Sequence, residues 1–414
     1  MTPTSSMFDV VIAGGSFAGL ALALALVRAK GGGPEVAVIE REELRPEAHG
    51  GRADPRAFAL SAGSRRLLEA IGVWDAVADQ AQPVAGIDIT DSALADAFRP
   101  VLLSYATSIG GEPQMLILEA DRLKQALHEA VLGEPRISVM APCEVAGLAE
   151  GAGGRMISLR NGERVAARLV VAADGSRSRV RELVGIGVVG GSFRQRGIAT
   201  IVGHEGEHEG RAVQHFLPAG PFALLPLQGR RSCITWSERE ARAEEIMKFD
   251  DVAFLDEAQA RAGWRLGALS LEGGRASWPL RSHLARSLIG PRIALVGDAA
   301  RSVHPIAGQG VNLGFRDVAA LAETVIEGMR LGLEPGDATS LTRYERWRRA
   351  DGAQSAAAFS ALNSLFSNDW TALRTLRDAG LGLVDRLPGL KGLLVAEAAG
   401  ATGDVPRLLR GQPL

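Results

Sequence analysis

The sequence predicts an α/β fold in which a doubly wound parallel sheet carries an inserted antiparallel β-sheet and is followed by C-terminal helices. Three observations support this prediction. An apolar run at the N-terminus passes through a glycine turn into a helical stretch and a second apolar run, which is a βαβ pattern. Two later apolar runs end at Asp174-Gly175 and Gly297-Asp298. Residues 196–238 alternate between apolar and polar side chains and are interrupted by turn residues, as the strands of an antiparallel sheet are.

The N-terminal stretch FDVVIAGGSFAGLALALALVRAKGGGPEVAVIERE is the first element of this fold. Its pattern predicts a strand over 8–13, a helix over 17–30 and a strand over 36–39. The turn between the first strand and the helix is glycine-rich. Phosphate groups bind at such turns because the N-terminal N–H groups of the helix point at them.

The residues of this turn predict a dinucleotide site. Gly14 and Gly19 occupy the positions that need a tight turn and close helix-to-strand packing, and Ser16 occupies the position beside the pyrophosphate, where its hydroxyl can donate to a phosphate oxygen. Glu40 ends the next strand, where an acid accepts hydrogen bonds from an unphosphorylated ribose. FAD or NAD is therefore favoured over NADP. The alternative is a glycine turn in an α/β protein that binds no nucleotide.

The two later apolar runs continue the parallel sheet. The stretch LVVAADGSRSRVRELVGI breaks at Asp174-Gly175, and a strand over 293–296 breaks at Gly297-Asp298. An Asp-Gly pair after a buried strand is often only a turn. Because both breaks follow strands of a doubly wound sheet, we expect them at the carboxyl ends of the strands, where ligands bind.

Three separated motifs, GGSFAG, ADGSRSRVR and GDAARSVHPIAGQGVNLGFRD, resemble those of the class A flavoprotein monooxygenases. Within that group the chain resembles the ubiquinone-biosynthesis hydroxylases of the UbiH/UbiF/UbiL type, over nearly its whole length. A fourth stretch, DPRAFALSAGSRRLLEAIGVWDA, is similar to the segment that follows the second strand in this family. The resemblance implies a Rossmann-like FAD-binding fold, similar to that of p-hydroxybenzoate hydroxylase, with FAD as cofactor and NAD(P)H as reductant.

The resemblance also implies which residues bind the cofactor. The ADP half would be held by the glycine turn and Glu40, and Asp298 would bond the ribityl chain. Arg56 and Arg122 would contact the cofactor, and the loop HPIAGQGVN would lie against the isoalloxazine ring. With the neighbouring residues of each motif, the predicted cofactor-binding residues are Gly14, Gly15, Ser16, Ala18, Gly19, Glu40, Arg41, Arg56, Arg122, Asp174, Gly175, Gly297, Asp298, Pro305, Gly308, Gly310, Val311 and Asn312.

Elementary chemistry agrees with a flavin at this loop. Glycines allow the backbone to approach a flat ring, and a helix that starts near Asn312 would direct its N-terminal N–H groups at it. Positive potential there stabilises the negative charge of a reduced flavin. His304 and Pro305 are candidates for a catalytic role, although a buried histidine more often serves as a hydrogen-bonding group. Many members of the family have His where this chain has Arg301, and we expect Arg301 to be a surface arginine.

The alternating stretch predicts the substrate-binding region. In the family such a sheet carries the aromatic substrate, which makes His215, Phe216, Phe222 and Leu224 candidates for its lining. The alternative, that the apolar ones are core residues of the sheet, is equally open for each of them. The chemistry is that of the cofactor, because the sequence has no Ser-His-Asp order, no paired-carboxylate motif and no HExxH motif.

The predicted division of the chain follows from these assignments. The FAD-binding domain comprises residues 1–84, 115–184 and 280–345, the β-sheet substrate domain residues 85–114 and 185–279, and the C-terminal helical region residues 346–414. The last region has apolar residues at helical spacing, which usually indicates core. Docking of this tail on a bilayer or on partner enzymes is a hypothesis.

Composition and charge narrow the range of functions. A net charge of -2 gives no reason to expect nucleic acid as a partner. The two cysteines, Cys143 and Cys233, fit no metal-ligand or disulfide pattern and indicate a reducing compartment, and no metal site is predicted. The N-terminus has no recognisable export signal. We therefore expect a cytoplasmic bacterial protein that contacts the membrane at its cytoplasmic face, if at all.

The resemblance implies the reaction as well. A polyprenylated phenol of ubiquinone biosynthesis would be hydroxylated on its aromatic ring with O2, through a flavin C4a-hydroperoxide, in a ubiquinone-biosynthesis complex or at the membrane. Three alternatives stay open: another FAD-dependent aromatic hydroxylase, a prenyl reductase, and a non-catalytic FAD-bearing subunit of a biosynthetic complex. The ring carbon that is hydroxylated, the length of the prenyl tail and the choice between NADPH, NADH and ferredoxin have no short motif.

Overall fold

A computed structural model of the protein describes residues 7–45, 54–91, 94, 100–303, 310–349 and 404–414. The strands, in chain order, are β1 (Met7–Ala13), β2 (Val36–Ile39), β3 (Ala57–Ser61), β4 (Gln82–Pro83), β5 (Gly86–Asp91), β6 (Leu103–Ala106), β7 (Ser108–Ile109), β8 (Glu112–Pro113), β9 (Met115–Glu119), β10 (Ile137–Met140), β11 (Val145–Gly151), β12 (Gly154–Leu159), β13 (Arg164–Ala172), β14 (Val188–His204), β15 (Arg211–Leu217), β16 (Gly220–Leu227), β17 (Arg231–Arg239), β18 (Leu269–Leu271), β19 (Ala276–Ala285), β20 (Ile289–Gly290), β21 (Ile293–Leu295) and β22 (Arg301–Ser302). The α-helices are α1 (Phe17–Val27), α2 (Ala62–Ala70), α3 (Ala120–Leu132), α4 (Arg179–Leu183), α5 (Glu240–Ile246), α6 (Asp251–Ala262) and α7 (Gly310–Arg330), and residues 338–349 are also helical.

The first sheet is a parallel layer in the order β10, β2, β1, β13, with β21 on the far side of β13. Strand β2 and the carboxyl-terminal halves of β1 and β13 are apolar runs buried on both faces, as parallel strands covered by helices are. The hairpin of β11 and β12 extends this sheet antiparallel to the first half of β13.

Helix α1 is buried because it is apolar all round. The sequence FAGLALALALV leaves no polar face, and every residue from Gly19 to Val27 is buried. It packs against α7 and α3 and belongs to the largest buried cluster, which also contains the parallel strands. The N-terminus of α1 is thereby fixed at the carboxyl end of β1.

The second sheet has the strand order β22, β19, β14, β17, β16, β15, β5, β6, with β18 also paired to β14. Its pairs are antiparallel except that of β15 with β5. One face packs against α5 and α6, and the cluster there includes Phe222, Trp236 and Phe254. The opposite face packs against β3 and β9 of the first lobe through Ile201 and Cys233, among others.

The C-terminal segment 404–414 returns to the first lobe. Leu408, Leu409 and Leu414 are buried in its core. The N–H of Arg407 donates to Glu323 of α7 at 2.7 Å, and the N–H of Lys30 donates to the Leu414 carbonyl at 2.9 Å. This segment is therefore part of the first lobe. Of the rest of the predicted helical region 346–414, residues 346–349 end the helix 338–349, and residues 350–403 lie outside the described residues.

The α/β fold with an inserted antiparallel sheet is confirmed. The first helix was predicted to end at Lys30 but ends three residues earlier, at Val27, and a run of glycines follows Lys30. Strand β19 crosses position 279, where the predicted boundary between the two lobes lies. None of the helices that the structure describes is long and apolar enough to cross a membrane.

Candidate functional site

Four chain segments meet at one edge of the parallel sheet. Strands β2, β1, β13 and β21 are parallel neighbours, so their carboxyl ends lie side by side. They are followed, in that order, by Glu40, the loop from Gly14 to Ser16, the pair Asp174-Gly175 and the pair Gly297-Asp298. The registers therefore bring together the motifs that lie 283 residues apart between Gly14 and Gly297 in the sequence. This edge is where a doubly wound sheet binds its ligand.

Gly14 is a position that only glycine fits. Its φ is +109°, and a Cβ there would lie 2.3 Å from the carbonyl oxygen of Ala173 on the neighbouring strand end. A Cβ on Gly19 would lie 1.9 Å from the carbonyl oxygen of Gly14. The glycine loop is thus held close to the strand end before Asp174, and the N-terminus of α1 is held close to the loop.

The loop borders a cleft of about 450 Å³. Glu40 lines it, and its carboxylate accepts from the N–H groups of Gly15 and Glu42. The side chain of Ser16 is exposed and caps no N–H of α1, so its hydroxyl is available to a ligand. The sequence-predicted residues that line this cleft are Gly14, Gly15, Ser16, Glu40, Arg41, Asp174 and Gly175.

Small residues allow three motifs to touch. A Cβ on Gly297, whose φ is +58°, would lie 3.2 Å from the Cβ of Ala18 and 3.9 Å from the Cα of Gly314. Ala18 belongs to the glycine loop helix, and Gly314 lies in α7. The turn after β21, the start of α1 and the start of α7 therefore converge at one point, and a larger side chain at any of the three would separate them.

Asp298 lies in the turn after β21 and is exposed. Protein atoms around its carboxyl nevertheless displace part of its water, and this desolvation raises its pKa. The positive charge of Arg56 acts to lower the pKa of Asp298, and the negative charge of Asp317 adds to the rise. A carboxyl in such a setting readily exchanges hydrogen bonds with a hydroxyl-bearing ligand.

Arg56 lies close enough to Asp298 for the two charges to affect each other's pKa. Burial acts to lower the pKa of its guanidinium, but the ion pair with Asp54 and the charge of Asp298 outweigh this effect and raise it. The guanidinium lies 5.7 Å from the ring centre of Trp278, which belongs to β19 of the second sheet. Arg56 thus contacts both lobes. Arg122 is exposed in the first turn of α3 and does not line the cleft of Glu40.

The start of α7 carries the last predicted cofactor residues. Gly310 begins the helix and is exposed, and Val311 is partly buried. The side chain of Asn312 is fully engaged elsewhere: its oxygen accepts from the Ser61 N–H at 3.0 Å and from the Ser64 hydroxyl at 2.6 Å, and its amide donates to β3. Asn312 therefore anchors the helix to β3 and α2. His304, Pro305 and Gly308 lie outside the described residues.

Two residues near Asp298 did not emerge from the sequence as site residues. Arg181 donates to the carbonyls of Ser176 and Ala299, so it links the two acidic motifs. His283 Nε2 lies 2.9 Å from the Asp298 carbonyl, and burial lowers the pKa of His283. Arg181 stands within ADGSRSRVR, so that motif contained the signal. His283 lies in a strand without a recognisable motif.

The expectation that Arg301 is a surface arginine is wrong. Arg301 is 3 % exposed, and its guanidinium is paired with the carboxylate of Asp317, which is fully buried in α7. The sequence misled because arginine is mostly an exposed residue, and its partner lies 16 residues away on another element.

The four candidate substrate residues lie on two different faces of the second sheet. Phe222 and Leu224 are buried in the cluster against α5 and α6, and the ring of His215 lies opposite Phe222 with a ring-centre distance of 6.3 Å. His215 Nδ1 also lies 2.7 Å from the hydroxyl of Thr90. Phe216 alternates with His215 along β15 and shares the face of Ala212, which packs toward the first lobe.

Part of the face toward the first lobe is open. The cross-strand neighbours Ile89, Gln214, Ala223 and Thr235 form a row across β5, β15, β16 and β17. Ile89, Gln214 and Thr235 are partly exposed, and Ala223 between the last two is small. This row is named the inner row below.

The His, Cys, Asp and Glu side chains of the described residues form no group of three that could hold a metal ion. Cys233 is fully buried on the inner face of the second sheet, and burial raises the pKa of its thiol to about 12. A thiol in that state is not reactive.

Known proteins identify the family. Residues 7–359 match the model of the FAD binding domain. The chain is 40% identical to ubiquinone hydroxylase UbiL of Rhodospirillum rubrum over 98% of this chain and 93% of that protein. The chain belongs to the ubiquinone hydroxylase family of FAD-dependent monooxygenases. It is also 33% identical to the 3-demethoxyubiquinol 3-hydroxylase of Escherichia coli, over 94% of this chain and 97% of that protein.

Solved structures of FAD-dependent monooxygenases share the fold. The p-nitrophenol 4-monooxygenase PnpA of Pseudomonas putida superposes with a TM-score of 0.79 at 20% identity, over 96% of this chain and 98% of that chain. The monooxygenase PieE, solved with FAD and substrate, superposes with a TM-score of 0.71 at 20% identity, over 99% of this chain and 73% of that chain.

The residues at the carboxyl edge of the parallel sheet fit FAD. The glycine loop can admit a pyrophosphate because no Cβ projects from Gly14 or Gly15, and the acid at Glu40 stands at the wall of the same cleft. Asp298 is exposed in the turn after β21, next to the start of α1. FAD is the cofactor of the family, and NAD(P)H is its usual reductant, as the sequence predicted.

Proposed function

We propose that this protein hydroxylates the aromatic ring of a prenylated phenol in ubiquinone biosynthesis, with FAD, NAD(P)H and O2. The observation that carries the proposal is the meeting of the three FAD motifs at the carboxyl ends of β1, β13 and β21. The relatives named for ubiquinone hydroxylation match over almost the full chain and supply the substrate class.

We propose the following contacts for FAD. The N–H groups at the start of α1 and the hydroxyl of Ser16 hold the pyrophosphate, and Glu40 holds the ribose. Arg41 and the pair Asp174-Gly175 border the same cleft. Asp298 and Arg56 hold the flavin half, while Asn312 positions the start of α7 through β3. When bound, FAD would supply the redox chemistry that takes hydride from a nicotinamide and transfers one atom of O2 to the ring, while the other atom leaves as water.

The start of α7 has an electrostatic role in this proposal. The N–H groups of the first turn, from Gly310 onward, give that end of the helix a positive potential. A flavin that carries negative charge after reduction is stabilised there. The contribution of the protein is otherwise to position the substrate and to exclude water.

The substrate ring is proposed to lie against the inner row. Gln214 and Thr235 supply polar groups on a surface that Ile89 and Ala223 keep apolar and shallow, which suits a ring bearing a hydroxyl group. Phe216 lies on the same face. His215, Phe222 and Leu224 are proposed to support the sheet from its other face.

Three further proposals concern the whole chain. The FAD-binding domain comprises 1–84, 115–184 and 280–345, with segment 404–414 packed into its core, and the substrate domain comprises 85–114 and 185–279. Since a prenylated phenol resides in a bilayer, the protein contacts the cytoplasmic face of the membrane or an enzyme complex bound there. Co-sedimentation with anionic vesicles tests this contact. Recovery of all the protein in the supernatant, with or without an extract of the native cells, would contradict it.

Two measurements test the function. In a strain that lacks the gene, mass spectrometry is expected to detect accumulation of a prenylated phenol that lacks one hydroxyl group, and the missing position identifies the ring carbon. The purified protein is expected to oxidise NAD(P)H and to convert that intermediate stoichiometrically. Reduction of a prenyl double bond, or hydroxylation of a phenol without a prenyl tail, would assign the alternative enzymes, and FAD binding without turnover would assign a non-catalytic subunit.

A further inference from the structure

The backbone turn that carries Asp298 is held by a different side chain at each of four successive points. The hydroxyl of Tyr344 donates to the carbonyl of Leu295 at 2.6 Å, before the turn. The carboxylate of Asp317 accepts from the N–H of Gly297 at 3.1 Å. Within the turn, the carbonyl of Asp298 accepts from His283 and the carbonyl of Ala299 accepts from Arg181. These side chains come from four different elements, so the turn is fixed by tertiary contacts.

The contact to Gly297 depends on a buried ionic group. Asp317 is fully buried, and while one of its oxygens accepts from Gly297, the other accepts from the guanidinium groups of Arg301 and Arg348, the latter at 2.8 Å. Both arginines are also buried, and Arg301 donates to the backbone carbonyl of Arg348 at 3.2 Å. The three side chains carry one net positive charge, from two cations and one anion.

Such a group is not explained by stability alone. Removing three charges from water is costly, and buried ionic groups are often no more stabilising than apolar side chains of the same volume. An ionic group adds geometric specificity, because the carboxylate accepts its hydrogen bonds only from donors in defined positions. Here the two arginines fix the orientation of Asp317, and with it the position of the Gly297 N–H.

The group also connects the two lobes. The backbone of Arg301 lies in β22, which pairs with Leu284 of β19 in the second sheet. Its side chain reaches Asp317 in α7, and Arg348 reaches the same carboxylate from helix 338–349. The Gly297–Asp298 turn is therefore linked to both lobes and to two helices.

We propose that Arg301, Asp317 and Arg348 form a positioning group that holds the Gly297–Asp298 turn in the geometry required to retain FAD. The three residues act through the turn, and none of them contacts the cofactor in this proposal. The inference rests on the proposed contact of Asp298 with FAD. It assigns to Arg301 a function that the sequence did not indicate.

The test is the rate at which purified holoenzyme releases FAD, followed by the recovery of flavin fluorescence after dilution. Arg301→Gln removes the charge and one fork of donors, and we expect release at least ~10-fold faster than in the wild type, as expected for loss of a hydrogen bond to a charged group. Arg301→Lys retains a charged donor, so release should recover at least partly toward the wild-type rate. Asp317→Asn should release FAD faster still.

A matched control separates positioning from stability. Asp88 is also buried and also accepts from two arginines, Arg211 and Arg265, but it lies in β5 of the second sheet. Asp88→Asn is expected to lower the melting temperature and to leave FAD release unchanged. If Arg301→Gln lowers the melting temperature in the same way and releases FAD within twofold of the wild type, the positioning role is overturned.

Asp298→Ala distinguishes this inference from the proposed function on which it rests. Rapid release from Asp298→Ala with wild-type release from Arg301→Gln overturns the positioning group alone. Wild-type release from both variants overturns the contact of Asp298 and the inference together. Should Asp317→Asn fail to fold, the two Arg301 variants still decide the outcome.

Discussion

At the scale of single residues, the site depends on positions where no side chain can be accommodated. Gly14 has both a positive φ and a neighbouring carbonyl within 2.3 Å of a would-be Cβ. Gly153, in the hairpin of β11 and β12, has a φ of +75° but nothing within 4 Å. Both glycines have a positive φ, +109° at Gly14 and +75° at Gly153, but only Gly14 has a close neighbour, which makes them a pair for mutagenesis.

Gly14→Ala is expected to lose FAD and to be markedly less stable, because the carbonyl of Ala173 follows β13 directly and the N–H of the same residue is bonded to the Ala13 carbonyl at 2.7 Å, which limits its movement. Gly153→Ala should lower the free energy of unfolding by only about 1 kcal/mol, the cost of a positive φ on alanine. Urea unfolding and the flavin absorbance of the purified proteins measure both effects. Equal losses in the two variants would mean that the close approach at Gly14 is unimportant.

His283 should make stability depend on pH. Burial, with a smaller effect of the positive charge of Arg181, lowers the pKa of His283 in the folded protein below 6.5, against a hydrogen bond to the Asp298 carbonyl that acts to raise it. In the unfolded chain the imidazole takes up a proton near pH 6.5. Just below pH 6.5 the unfolded state therefore binds more protons than the folded state. The contribution of His283 to stability is present above pH 6.5 and is lost as the pH falls.

The measurement is the melting temperature of wild type and His283→Gln at pH 7.5 and pH 5.5. Glutamine can still donate to the Asp298 carbonyl but does not titrate, so the variant should lose less of its melting temperature between the two values. Other groups titrate in both proteins and cancel in the comparison. An identical fall in the two proteins would exclude His283 as the source.

At the scale of elements, the sequence predicted what depends on local chemistry. The strand ends before Asp174 and Asp298 were predictable because an apolar run stops at a residue that cannot continue it, and parallel strands bring such ends together. The faces of the second sheet were not predictable for Phe216 and Phe222, since both are apolar and only the strand register decides which face each occupies. The pairing of Arg301 with Asp317 depends on tertiary structure in the same way.

The C-terminal segment gives a prediction about one element. Leu409 is 3 % exposed in the core of the first lobe, whereas the adjacent Arg410 is exposed. Leu409→Ala should lower the free energy of unfolding by about 2–5 kcal/mol, the range for a leucine removed from a well-packed core. Arg410→Ala should change it by less than about 0.5 kcal/mol. Urea unfolding followed by tryptophan fluorescence measures both, and similar midpoints would contradict docking of this segment.

At the scale of the whole molecule, bound FAD is expected to stabilise the folded first lobe. The proposed FAD site joins the ends of β1, β2, β13 and β21 to the starts of α1 and α7, so binding is linked to the folding of all of them. At FAD concentrations 100 times the dissociation constant, the free energy of unfolding should rise by about 2.7 kcal/mol, if the unfolded chain does not bind FAD.

Comparison of FMN with FAD tests how much of that stabilisation comes from the ADP half of FAD and how much from the flavin half. FMN has the flavin and ribityl groups but lacks the adenylate that the cleft of Glu40 is proposed to hold, so it should raise the melting temperature of the deflavinated protein much less than FAD. Glu40→Gln replaces the carboxylate, whose two oxygens can accept from both ribose hydroxyls, by a neutral amide with one acceptor oxygen, and should weaken FAD while leaving the small effect of FMN unchanged. Asp298→Ala should weaken both, because both contain the ribityl chain. Equal stabilisation by FMN and FAD would contradict a role of the glycine loop and Glu40 in holding the ADP half, since the flavin half would then account for all of the binding energy.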